Sequence, residues 1–233
     1  MTYPNNTRKL NYNYASGLND NISRLSSLSD NSPTSPTIFE SYDYLGLGTV
    51  VRRGHLESGV DLTYISQTGG SGDAGDKYTG LDRFGRVMDQ LWIRSSTATD
   101  DFQYGYDRDN NRLYRNNVVN PAFGELYHAN GASSGYDNLN QLTAFSRGTL
   151  SASISGGTLD TITTASRSQS WTLDVMGNFT SQTTGTTSAT RTHNMQNEVT
   201  GVGQSALTFD ANGNLTTDET GRTLRSGDTI LNC

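Results

Sequence analysis

Two short patterns have the spacing of known chemistry. Gly131-Ala132-Ser133-Ser134-Gly135 fits G-x-S-x-G, which sets a nucleophilic serine on a strand-to-helix elbow. An elbow needs a helix after the serine, and here Tyr136-Asp137 opens another strand-and-turn unit, so no catalytic serine is assigned. Gly70-Ser71-Gly72-Asp73-Ala74-Gly75 fits the phosphate-cradling G-x-G-x-x-G, again with no helix to follow. Asp107-x-Asp109-x-Asn111 and Asp210-x-Asn212-x-Asn214 have the oxygen spacing that opens an EF-hand calcium loop. The sixth loop position should be Gly but is Arg112 or Leu215, and the twelfth should be Glu but is Val118 or Gly221. Weak extracellular-type calcium binding is the metal reading that remains. Asp and Asn side chains capping hairpin turns account for the same residues without a metal. His55, His128 and His193 have no H-x-x-x-H partner, and Cys233, the single cysteine, can make neither an internal disulfide nor a thiolate cluster. No catalytic residue, cofactor or metal is assigned, and the chain reads as a non-enzyme.

The carboxylates share a context, and it defines the element that carries them. An aromatic or apolar residue precedes Asp; two variable residues, Gly or Asn, a polar residue and an apolar residue follow. The clear copies run from Leu81 to Val87, Tyr136 to Leu142, Leu173 to Phe179 and Phe209 to Leu215. Tyr104 to Leu113 reads as a copy with one extra residue, and His193 to Val199 as a degenerate one with Asn in place of Asp. Two looser copies open the chain, around Ala15 and around Tyr42-Asp43. Successive units are about 28 residues apart on average, with connections of varying length, as in stacked arrays with surface insertions.

The turn chemistry follows from residue type. Asp at the start of a type I turn accepts a backbone N–H two residues on. The residue three later is Gly or Asn, which tolerate a left-handed backbone and close a three-residue hairpin loop with a bulge. The expected turn residues are Asp43, Asp82 with Gly85, Asp107 with Asn110, Asp137 with Asn140, Asp174 with Gly177, Asn194 with Asn197, and Asp210 with Gly213. Flanking segments such as Phe102–Tyr106 and Trp171–Leu173, and the Thr-rich runs 161–164 and 183–192, suit strands. The best helical spacing, Leu18 to Leu28, is short and rich in Ser and Asn. Residues 26–37 and 67–76 read as loops.

Composition supports this reading. Charged residues make up 17% of the 233, hydrophobic residues 32%, and there are 12 Tyr but only 4 Pro. A disordered chain would be poorer in aromatics and richer in Pro, Glu and Lys. The net charge of −6 argues against a nucleic-acid partner, and no apolar run is long enough to span a membrane. No apolar leader is visible at the N-terminus.

The repeated Tyr-Asp units, with Tyr104-Gly105-Tyr106-Asp107 the most specific, resemble the YD-repeat or RHS family over roughly residues 12–215. The resemblance implies an all-β fold: consecutive β-hairpins laid side by side in an extended, curved or spiralling antiparallel sheet, here an incomplete shell. Family members include bacterial toxin-delivery proteins, whose shell encloses a toxin, and the teneurin adhesion proteins. It also implies a single partial array of about eight units across 1–233, with 216–233 a departing C-terminal tail. There is no Asp-Pro pair of the kind found at the family's self-cleavage segment. The implied role is a non-catalytic structural segment, secreted or at the cell surface. The alternatives are a carbohydrate- or protein-binding adhesion module and a truncated remnant without function. Expected partners are the rest of a larger YD-repeat protein, or further copies pairing through open sheet edges; carbohydrate or a cell-surface protein would serve the adhesion reading.

Overall fold

The computed structural model describes residues 9–32, 34–65, 80–128 and 135–224. The Ser133 pattern (apart from Gly135), the glycine-rich 70–75 segment, the loop at 67–76, Cys233 and the tail beyond residue 224 lie outside the described residues.

The fold is all-β. Its strands are β1 (Asn11–Asn13), β2 (Ser27–Ser29), β3 (Ile38–Leu45), β4 (Thr49–His55), β5 (Val60–Thr63), β6 (Asp89–Arg94), β7 (Thr97–Tyr106), β8 (Arg112–Asn117), β9 (Glu125–Leu126) and β10 (Ala144–Arg147). There follow β11 (Leu150–Ser151), β12 (Thr161–Ile162), β13 (Arg167–Leu173), β14 (Phe179–Thr184), β15 (Thr187–His193), β16 (Val199–Val202), β17 (Ser205–Ala206), β18 (Thr208–Phe209) and β19 (Leu215–Thr217). A 15-stranded sheet takes β1 to β10 and β13 to β17 in chain order; β11 pairs with β12 and β18 with β19. Antiparallel neighbours in sequence order are what short hairpin connections produce. The helical spacing at residue 18 yields a single turn, α1 (Leu18–Asn21), with no buried residue. The segment read as one loop, 26–37, contains β2, so the loop proper is 30–37.

The chain divides into two compact units. One comprises Met1–Tyr106 with Tyr114–Gly124, the other Asp107–Leu113 with Glu125–Cys233. In the first unit, Val51 on β4 is 1% exposed and Tyr104 on β7 is also buried. Arg53 on β4 pairs with Glu40 on β3 at 2.8 Å, and His55 stacks on Trp92 with centroids 6.2 Å apart. Asp43 is corrected here. It lies inside β3 opposite Arg52, 3.5 Å from its guanidinium, and the hairpin turns later, at Gly46-Leu47-Gly48. With its carboxylate held across the strand pair, Asp43 caps no turn. The region around Ala15 also differs: Asp20 N–H reaches the Ala15 carbonyl at 3.0 Å, leading into α1.

In the second unit the sheet has two unlike faces, because successive side chains on a strand alternate. One carries a row of rings: Tyr127, Phe145, Trp171 and Phe179, with neighbouring centroids 6.4, 5.9 and 6.0 Å apart. The other carries hydroxyls in register. Ser170 faces Thr183, which faces Ser188; Thr172 faces Ser181, which faces Thr190. A groove of about 240 Å³ is lined on this side by Ala144, Ser146, Ser168, Ser170 and Thr183. Among the described residues no helix is long and apolar enough to cross a membrane.

Candidate functional site: a ladder of hairpin turns

The predicted turn residues other than Asp43 share one geometry. At Asp174, one carboxylate oxygen accepts the Met176 and Asn178 amides at 2.8 and 2.9 Å. The Asp174 N–H meets the Asn178 carbonyl at 2.9 Å, and Gly177 N–H meets the Asp174 carbonyl at 3.0 Å. The other carboxylate oxygen accepts the Asn178 amide side chain at 3.1 Å. Asp210 repeats every contact, through Asn212, Gly213 and Asn214. Asp82 does so with Arg86 as the side-chain donor at 2.7 Å. Asp137 holds the Leu139 and Gln141 amides at 2.8 and 2.9 Å. Gly85, Asn110, Asn140, Gly177, Asn197 and Gly213 all sit at φ between 60° and 85°, the left-handed region that Gly and Asn enter most readily.

Two turns refine the sequence reading. Asp107 is not in a lengthened turn: it accepts the Asp109 and Asn111 amides at 2.9 and 2.8 Å, the same offsets as elsewhere. The departure is Arg112, which stands where the other copies have an apolar residue. The Asn194 turn reverses the side-chain pair. Asn194 Oδ1 caps the Gln196 and Glu198 amides at 3.0 Å, and Asn194 Nδ2 donates to Glu198 at 2.6 Å. Donor and acceptor have exchanged ends, and the hydrogen bond survives.

The sequence reading missed the turn at Asp218. Asp218 accepts the Thr220 and Arg222 amides at 3.0 and 2.9 Å, Arg222 Nε donates to it at 3.0 Å, and Gly221 has φ 80°. Residues 216–224 of the expected tail thus contain one more unit of the same kind. Flanking Thr217 and Thr223 hid it, since the pattern sought an aromatic or apolar residue before and an apolar residue after. A search for Asp, two residues, Gly and a side-chain donor would find it.

The turns also touch one another, which no single copy reveals. Asn111 Nδ2 donates to its own Asp107 at 2.9 Å and to Asn140 Oδ1 of the next turn at 2.9 Å. Asn178 Nδ2 does the same to Asp174 at 3.1 Å and to Asn197 Oδ1 at 3.0 Å. Where the next turn has Gly, the same side chain lies over it: a Cβ on Gly177 would be 3.5 Å from Gln141 Nε2, and one on Gly213 would be 3.1 Å from Glu198 Oε1. In the second unit, then, the last polar residue of each turn from Asp107 to Asn194 reaches the left-handed residue of the following turn.

A second regularity lies two residues before the capping residue. Thr172, Thr192 and Thr208 occupy that place in the later turns and share hydroxyl hydrogen bonds with Thr180, Thr200 and Thr216 at 2.7, 3.0 and 2.8 Å. Earlier turns have Gly80, Gly105 and Gly135 instead. A Cβ at Gly105 would strike the Tyr114 ring, and one at Gly135 the carbonyls of Tyr127 and Ala144. These glycines mark close approach of a neighbouring strand, not a special φ.

The turn hydrogen bonds hold carboxylates ionised. The Asn178 backbone and side-chain donors lower the Asp174 pKa, and those of Asn214 lower Asp210. Thr220, followed by the Arg222 and Thr220 amides, lowers Asp218. At Asp82 burial opposes the shift, but Arg86 and two amides outweigh it. The oxygens of Asp107 and Asp210, the residues with calcium-loop spacing, are already occupied by amide donors of their own turns. The turn tips are open to solvent: Val175 and Met195 are each 98% exposed.

No protein-family model matches the chain, and no curated protein matches it. Solved structures do resemble it. The Photorhabdus luminescens Tc holotoxin pore with a mutated TccC3 aligns with a TM-score of 0.56 and 15% identity, over 92% of this chain and 11% of that one. The crystal structure of TcdB2-TccC3-TEV gives 0.53 and 15%, over 89% and 11%. That of TcdB2-TccC3 gives 0.52 and 16%, over 90% and 11%. The likeness is one of fold, and this chain spans about a ninth of the length of those chains.

Proposed function

We propose that the chain is a non-catalytic structural segment of an RHS/YD-repeat shell, of the kind that encloses a toxin. Its partner would be the remainder of that larger protein. The observation that carries this reading is the turn ladder. Its polar side chains cap the turns, and Asn111 and Asn178 each join one turn to the next, as neighbour-to-neighbour contact in a repeat array requires. The likeness of fold to Tc toxin components, over nearly all of this chain and a small part of theirs, supports it. Secretion or surface display would follow if the chain behaves as the family does.

A second reading, a carbohydrate-binding module, rests on the row Tyr127, Phe145, Trp171 and Phe179. These rings lie within stacking distance of one another, which favours packing along the sheet face. Trp171→Ala separates the two readings. A scaffold loses stability and shows no glycan binding before or after the change. A lectin binds glycans and loses that binding with its fold intact.

A further inference from the structure

In the first unit, β6 and β7 form a hairpin with two unfavourable features. Its turn is Ser95-Ser96, with φ of 49° and 65°. A left-handed conformation at both central positions favours Asn and Gly, so two serines there destabilise the turn. The strands then bring acids together. The register sets Asp89 opposite Gln103 and Leu91 opposite Asp101, so Asp89 and Asp101 share a face as diagonal neighbours.

One oxygen of Asp89 takes the Gln103 amide at 3.2 Å. The other Asp89 oxygen and Asp101 Oδ1 are both buried, and among the described residues no donor reaches either. Asp100, the preceding residue, also acts on Asp101; it is held by Asn117 of β8 at 3.1 Å. Arg115 of β8 lies over the Phe102 ring at 5.2 Å, and on β5 Asp61 is taken by Arg52. A buried oxygen without a donor is costly, and two facing carboxylates are more so. A single proton shared between Asp89 and Asp101 removes both costs, because the protonated carboxyl becomes the missing donor.

We propose that Asp89 and Asp101 form a proton-operated clasp between β6 and β7, closed when the pair shares a proton and loosened when both carboxylates are ionised. Burial, then the charge of Asp89 and its hydrogen bond, push the Asp101 pKa up to about 7, which puts the change near neutrality. The sign is opposite to that of the turn aspartates. Asp101 holds its proton more tightly folded than unfolded, so the hairpin weakens as pH rises from the ordinary Asp value of 3.8 towards about 7.

The test is amide hydrogen exchange on the full chain at about pH 5 and about pH 8, corrected for intrinsic exchange rates. The β6 and β7 amides are expected to lose about ten-fold or more protection at the higher pH, while those of β14 and β15 change little. In Asp101→Asn, which has its own amide donor, protection should not depend on pH. Equal protection at both pH values in the wild type overturns the proposal, as does a loss spread over the whole chain or retained in Asp101→Asn. A carboxyl carbon-13 titration of the wild type stands beside it. A midpoint for Asp101 in the ordinary Asp range also overturns the clasp.

Discussion

Asn178 and Asn197 belong to different turns, and one amide group joins them. Asn178 Nδ2 donates to Asp174 at 3.1 Å within its own turn and to Asn197 Oδ1 at 3.0 Å in the next. Asn111 holds Asp107 and Asn140 in the same way. A residue that looks like ordinary turn filler is therefore the link between repeats.

Asn178→Ala should destabilise the chain by about 1–2 kcal/mol, through loss of both bonds. Asn197→Gly loses only the cross-turn bond and relieves a left-handed φ of 63°, so its net effect should be within about 0.5 kcal/mol. A denaturant double-mutant cycle should return a coupling of about 0.5–1 kcal/mol between them. Strict additivity would mean that the two turns are independent.

Asn194 shows that an amide can cap this turn as a carboxylate does. Asp174→Asn keeps both backbone caps but turns an amide donor towards Asn178 Nδ2, so it loses that one side-chain bond and should cost about 0.5–1 kcal/mol. Asp174→Ala leaves the Met176 and Asn178 amides without their acceptor and should cost about 1 kcal/mol or more. Thermal melts of the two variants check this, and equal losses would contradict the capping role.

Gly135→Ala should cost about 2 kcal/mol or more, since the new methyl meets backbone carbonyls that cannot move aside. Gly185→Ala meets nothing within 4 Å among the described residues and carries only the strain of φ 59°, about 1 kcal/mol. Chemical denaturation of the pair should rank them in that order.

The turn aspartates predict an acid limb. Asp82, Asp174, Asp210 and Asp218 have folded pKa values below the ordinary 3.8. Their stabilisation is present above that value and is lost as pH falls through the lowered range. Circular dichroism melts taken stepwise below about pH 4 should show Tm falling. Replacing Asp174 and Asp210 together by Asn should flatten that fall.

The turns were legible in the sequence because their hydrogen bonds span only four residues. Asp, Gly or Asn three later, and a donor after that, are enough to specify them. Asp43 misled because Tyr42-Asp43 has the aromatic-Asp pair of the repeat, yet Arg52 across the strand takes the carboxylate, and that partner is set by register rather than by local sequence. Asp218 was missed because Thr217 and Thr223 stand where the other copies carry aromatic or apolar residues, although the two still bridge as a strand pair. The links from Asn111 to Asn140 and from Asn178 to Asn197 span 29 and 19 residues and depend on which hairpins lie side by side. The Asp89–Asp101 pair depends on register in the same way.

The central claim, that the chain is one part of a larger array, is tested most directly by light scattering after size exclusion, with circular dichroism on the eluted material. Among the described residues the strand order ends at β1 and β17, each paired on one side only, and such an edge offers hydrogen bonds to other chains. The account predicts a β-rich protein that self-associates as concentration rises and melts broadly. A monodisperse monomer with a sharp two-state melt would contradict it and would make the chain a self-standing module.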